Sequence, residues 1–108
     1  MISIYILDKP NCKTDRQPTL AVSPDELIDV KCSVNANPPE NIKFHWALNI
    51  SSDITSISSK HYNYQGTASQ LFYSIRRNFD YCMLLCWAEN DIGQQTIPCR
   101  YHVVKASK

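Results

Sequence analysis

The chain has 108 residues, room for one domain and little more. Its composition, 44% hydrophobic and 19% charged, is that of a globular chain rather than a disordered one. Its 11 basic and 10 acidic residues leave a net charge of +1, a balance that favours neither nucleic acid nor an anionic membrane as partner.

Ile2 to Leu7 is an apolar, strand-like run that stops at Asp8-Lys9-Pro10. It is too short for a membrane span and lacks the basic start of a signal peptide. Pro18 to Val22 reads as a short strand suited to a sheet edge, because its proline cannot donate to a ladder. Ser23 to Glu26 is a turn. Leu27 to Val34 alternates, with Ile28, Val30, Cys32 and Val34 on one face. Asn35 to Glu40 reads as a loop. Ile42, Phe44, Trp46 and Leu48 then alternate against Lys43, His45 and Ala47.

Ile50 to Gly66 is polar, serine-rich and the least informative stretch. Leu71, Tyr73 and Ile75 alternate, and Asn78 to Asp80 turns the chain. Cys82, Leu84, Cys86 and Ala88 share one face of the next run. Asn90 to Gly93 is a hairpin signal. Thr96 to Val104 reads as the last strand, with a bulge or an edge at Pro98. About seven short strands follow, with turns every eight to about twelve residues and no helical periodicity. This is the pattern of an all-β sandwich of two antiparallel sheets.

Five cysteines in so short a chain, with no CxxC pair, suggest disulfides in an oxidising compartment, and the odd count leaves at least one thiol over. Cys32 and Trp46 fall on inward positions of consecutive strands, and Cys86 on an inward position of a late one. A sandwich uses one cysteine from each sheet to tie its layers, with a large ring packed on the bridge. Such a bridge closes a loop of about 55 residues, worth about 4 kcal/mol in the chain-entropy model. Asn49-Ile50-Ser51 is the single N-glycosylation sequon, and it points to the same compartment.

Cys32, Trp46, the run Asp80 to Cys86 and Ala88-Glu89-Asn90 together resemble an immunoglobulin-superfamily domain of the I-set type over residues 10–105. Three stretches, 41–49, 84–93 and 94–104, are more closely similar to membrane-proximal immunoglobulin domains of arthropod sidestep-type receptors, relatives of the nephrin-like adhesion proteins. That resemblance implies an immunoglobulin-like β-sandwich from the extracellular part of a plasma-membrane receptor of the axon-guidance type. It implies binding to other immunoglobulin-superfamily proteins in cis or in trans, or service as a rigid spacer. It also implies a second cysteine pair, Cys12 with Cys99, joining first and last strands. Residues 1–9 are then the end of a preceding domain or a linker, and 106–108 the start of the next linker. Any signal peptide would lie upstream.

Two positions depart from the family pattern. Cys82 stands where glycine is usual, and Leu84 where many such domains carry a corner tyrosine. Leu84 is assigned to the core. For Cys82 three roles stand open: competitor for Cys32 during folding, buried free thiol, or partner in a bond between chains.

Sharper chemistry has less support. Cys82, Cys86, Cys99 and His102 are zinc-ligand types, but Cys82 and Cys86 on one strand lie about 13 Å apart, too far to share an ion. Cys82 with His45, His61 or His102 lacks any local signature of a nucleophile. His45 and His102 read as solvated strand residues. The expectation is therefore a non-enzyme with no cofactor or metal, no nucleic-acid partner and no membrane insertion by this segment. Trp87 points to the outer face of its sheet beside Lys43, His45, Leu85 and Glu89, where it either anchors an interface or covers its own sheet. Asp80 is expected to pair with Lys60 or Arg76. The alternatives to a receptor are a secreted immune-type immunoglobulin protein and a structural domain of an intracellular muscle protein.

Overall fold

The alternating runs become strands, and polar runs with no burial signal add more. The structure, a computed structural model, describes residues 7–14 and 17–106. Its strands are β1 (Asp8–Cys12), β2 (Thr19–Val22), β3 (Leu27–Asn37), β4 (Lys43–Ile50), β5 (Asp53–Ser56), β6 (Tyr62–Gln65), β7 (Ala68–Ser74), β8 (Tyr81–Glu89) and β9 (Cys99–Lys105). A 3-10 turn at Ser59–His61 precedes β6. One sheet runs β1-β3-β7-β6 and the other β2-β9-β8-β4-β5. Pairing is antiparallel except between β2 and β9, which run parallel, so the second sheet is mixed.

The core follows from parity. Ile28, Val30, Cys32 and Val34 of β3 face Phe44, Trp46 and Leu48 of β4, with Leu71, Cys82, Leu84, Cys86 and Val103 filling the layer. Trp46 is 1% exposed and Leu84 fully buried. Ala47 points to the other face yet is fully buried too, its methyl being shorter than the residues around it.

Four boundaries differ from the sequence reading. Ile2 to Ile6 lie outside the described residues, but Asp8 and Lys9, expected in a linker, belong to β1. There Asp8 pairs with Asn37. The same pairing carries β3 through Asn35–Asn37, which was expected to be loop: a strand alongside supplies ladder partners that local sequence cannot show. The last strand starts at Cys99, not Thr96. Gln95 explains this, because its backbone N–H donates to Ala88 C=O (2.9 Å) while its side-chain carbonyl accepts from Ala88 N–H (3.0 Å). One residue thus occupies both groups that a continuing ladder would use, and 96–98 loops outward with Ile97 exposed. The polar stretch 50–66 holds β5 and β6, each an outermost strand of its sheet, where little is buried and no apolar alternation is required.

Two pairs of cysteines stand at disulfide distance and both tie sheet to sheet. Cys32 on β3 meets Cys86 on β8, with Cα atoms 6.6 Å apart. Cys12 on β1 meets Cys99 on β9, at 5.5 Å. Cys86 and Cys99 are opposite one another across the β8–β9 ladder, so the two ties form one layer of the core.

Candidate interaction face

The β4–β8 register assembles the outward residues of the five-stranded sheet. Lys43 lies opposite Glu89, His45 opposite Trp87, Ala47 opposite Leu85 and Asn49 opposite Met83. The five residues singled out as an interface, Lys43, His45, Leu85, Trp87 and Glu89, therefore lie side by side. The His45 and Trp87 rings pack at 5.9 Å between centroids, and His45 Nε2 approaches Glu89 Oε1 at 3.2 Å. Lys43 is exposed, while Trp87 and Leu85 are half-buried. An aromatic held by a neighbouring ring loses little rotamer freedom on docking, which suits an anchor.

Asn49, the sequon residue, sits near the other end of this face between Ile54 of β5 and Met83. Its Oδ1 is buried without a hydrogen-bond partner. Ser51 of the sequon begins the β4–β5 turn, in which Ser51 and Ser52 both adopt positive φ, 51° and 67°. Farther across the sheet Tyr81 OH bonds His102 Nδ1, and His102 Nε2 bonds Gln17 Oε1 at 2.7 Å. His45 and His102, expected to be simply solvated, are both engaged.

Cys82 is buried on the opposite, core-facing side, 1% exposed. Burial pushes its thiol up to about 11. A neutral, enclosed thiol is neither nucleophile nor ready partner for another chain. Cys82 is not at disulfide distance from another cysteine among the described residues. Cys86 and Cys99, two of the imagined zinc ligands, are taken by the sheet-to-sheet pairs. Among the described residues no group of three His, Cys, Asp or Glu side chains is placed to hold a metal ion.

Asp80 corrects another expectation. It is exposed and, among the described residues, makes no ion pair with Lys60 or Arg76. The corner is pinned through backbone instead, Lys105 N–H donating to Asp80 C=O at 3.1 Å. The ion pair nearby joins Arg77 to Asp53 at 3.4 Å.

Three polar residues that hold the frame carry no sequence signal of their role. Ser69 accepts the indole N–H of Trp46 (2.9 Å) and donates to Asn63 C=O (2.7 Å). Gln95, 5% exposed, also donates to Ile97 C=O at 2.7 Å, beside the sulfurs of Cys12 and Cys99. Tyr101 stacks on Trp46 and donates to Lys31 C=O at 3.1 Å; burial raises its hydroxyl to about 12. Asn90 was legible in part: its turn bonds to Ile92 and Gly93 follow from the Asn-x-x-Gly pattern, its bond to Asp8 C=O does not.

The architecture is that of solved immunoglobulin domains. A Dscam chain, from a structure addressing the basis of Dscam isoform specificity, aligns over 93% of this chain with a TM-score of 0.62 and 14% identity. This chain spans 25% of that one. A chain of the titin M10–obscurin-like 1 Ig complex aligns over 93% of this chain and 96% of its own length, at TM-score 0.60 and 19% identity. A mutant of the same complex gives 95% and 98%, TM-score 0.61 and 18% identity. No family model matches the sequence, and no curated protein matches it. At these identities the likeness defines the class by fold: an immunoglobulin-like β-sandwich module.

Proposed function

We propose that this chain is an extracellular immunoglobulin module of a cell-surface recognition receptor. It acts by protein–protein binding through the outer face of the five-stranded sheet, or as a rigid spacer between binding modules. The observation that carries the reading is the layer of two cysteine pairs joining the sheets, which uses four of the five cysteines. Two cross-sheet bridges persist in an oxidising compartment and are rare where glutathione keeps thiols reduced. The resemblance to sidestep-type and nephrin-like receptors supports the axon-guidance form of this reading. The Dscam likeness and the titin–obscurin-like 1 Ig complex support immunoglobulin domains, in cis or trans, as partner class. Asn49 carries an N-linked glycan here, at the β5 end of the face, leaving the Lys43–Trp87 end open. The module covers residues 10–105 together with the β1 start at Asp8 and with Ala106, whose N–H donates to Val22 C=O at 2.8 Å.

The test is peptide mapping under non-reducing conditions of protein secreted from eukaryotic cells. The expected result is Cys12 linked to Cys99, Cys32 linked to Cys86, and Cys82 free, with a glycan mass on the Asn49 peptide. Five free thiols in protein isolated from its own tissue would favour the intracellular, muscle-type alternative. For the binding role, Trp87→Ala is expected to weaken capture by an immunoglobulin-domain ectodomain panel by more than about tenfold. Loss of no interaction at all leaves the spacer role.

A further inference from the structure

The two ends of the five-stranded sheet's outer face differ in character. The Lys43–Glu89 end is charged and holds the His45–Glu89 contact at 3.2 Å. The Asn49 end is apolar. Asn49 pairs with Ile54 of β5 on one side and Met83 of β8 on the other, with Ser56, Tyr81 and Leu85 on the diagonals. None of these five is charged. Directly paired residues share a face with Cβ atoms about 4.5–5.5 Å apart, and diagonal ones lie about 7–8 Å away. Ile54 is 60% exposed and Tyr81 50%, so two large apolar side chains stand in solvent on either side of Asn49. Tyr81 is held in place, its hydroxyl bonded to His102 Nδ1 and its ring tilted against the imidazole at 5.7 Å between centroids.

This end of the face is also a sheet edge. β5 is an outermost strand, and all four of its residues are exposed. An edge strand with an apolar residue in solvent invites pairing with another chain, and natural sheets cover or blunt such edges. The chain carries the means at the centre of the patch, because its one N-glycosylation sequon is Asn49-Ile50-Ser51. Asn49 Oδ1 is buried without a hydrogen-bond partner, which leaves the amide nitrogen, the atom that bears a glycan, on the outward side of the side chain. An N-acetylglucosamine attached there stands over its ladder neighbours. The C–H face of the pyranose ring and the acetamide methyl are apolar and match Ile54 and Met83. The Tyr81 ring offers an apolar face for the same contact, and the sugar hydroxyls stay in water.

Granted the glycosylation of Asn49 proposed above, we infer that the first sugars of its glycan pack on Ile54, Met83 and Tyr81 and form a structural cover for this end of the sheet. The glycan then stabilises the folded chain, since the apolar surface it shields is assembled only when β4, β5 and β8 are paired. It also closes the β5 edge to a further strand and confines a protein partner to the Trp87 end of the face.

The experiment compares three forms of the 108-residue chain with both bridges formed: secreted from eukaryotic cells, the same form trimmed by endoglycosidase to one N-acetylglucosamine, and the identical polypeptide made without glycan in bacteria. The glycosylated and trimmed forms are expected to melt at least about 3 °C above the unglycosylated one. Nuclear Overhauser contacts are expected from the acetamide methyl and ring protons of the first sugar to the Ile54, Met83 and Tyr81 side chains. In Ile54→Thr/Tyr81→Thr, prepared in the same forms, the glycan is expected to raise the melting temperature by less than half as much. An Asn49 peptide without glycan mass overturns the glycosylation, and the cover with it. Glycan mass on Asn49 with no rise in melting temperature, or with no sugar contacts to the patch, overturns the cover alone. So does an undiminished rise in the double variant. Self-association of the glycosylated chain through Ile54 and Tyr81 makes a second copy the occupant and overturns it as well.

Discussion

Trp46 is the largest side chain in the core, and its single polar atom decides how the core is wired. The indole N–H needs an acceptor because an unpaired buried donor costs about 1–3 kcal/mol. Ser69 supplies one, and its own O–H donates to Asn63 C=O. Ser69→Ala is therefore expected to lower stability by about 1–3 kcal/mol in urea unfolding, with a change in Trp fluorescence. Gln95→Ala leaves Ala88 N–H and Ile97 C=O without their side-chain partners and is expected to cost a similar amount. Cys82 gives a prediction of a different kind. Its thiol is raised by burial from 9.0 to about 11, so between those values the unfolded chain loses a proton that the folded chain retains. Stability is then fully present below about pH 9 and falls as pH rises toward 11. Cys82→Ala is expected to flatten that alkaline fall, measured by unfolding at several pH values. In the native protein iodoacetamide is expected to leave Cys82 unlabelled, with one thiol reacting after denaturation.

At the scale of elements, two tight turns make opposite demands. The β4–β5 connection places Ser51 and Ser52 at positive φ, where a Cβ costs roughly 1–2 kcal/mol and where Asn-Gly is the favoured pair. Ser52→Gly is expected to raise stability by about 1 kcal/mol while leaving the sequon intact. The β6–β7 turn already uses glycine: Gly66 has φ 60°, and an added Cβ there meets nothing within 4 Å. Gly66→Ala is thus expected to destabilise through backbone strain alone, by about 1 kcal/mol. Paired melting curves of the two variants check both signs. The two turns also show why β5 and β6 are quiet in the sequence: each sits at a sheet edge, held by a hairpin and a single ladder.

For the whole molecule, two ties in one layer make the stability of the sandwich depend on redox state. The Cys12–Cys99 pair spans 87 positions and the Cys32–Cys86 pair 54. Chain entropy assigns each bridge about 4–5 kcal/mol, a large share of the roughly 5–15 kcal/mol by which a domain is stable. Cys12→Ala/Cys99→Ala is expected to lower the melting temperature yet remain folded, since Cys32, Trp46 and Cys86 still join the sheets. Reduction of both bridges is expected to unfold most of the population at 37 °C, read by circular dichroism with and without reductant. The outer face of the five-stranded sheet carries the Trp87 cluster, on strands that the same frame holds in place.

Local alternation determined the fold class, the inward set and the face on which Lys43, His45, Leu85, Trp87 and Glu89 lie. Each of these follows from the two-residue period of a strand buried on one side, which any stretch such as Leu27–Val34 or Cys82–Ala88 displays by itself. The Cys32, Trp46 and Cys86 spacing likewise announced a two-layer sandwich. Tertiary structure alone decided that His45 lies opposite Trp87, because parity assigns a face but not a register between strands. It decided that Asp8 pairs with Asn37, that Gln95 ends the hairpin ladder, and that polar edge strands form between Ile50 and Gly66. These depend on hydrogen bonds between positions far apart in the chain, and such contacts exist only once the two sheets have docked.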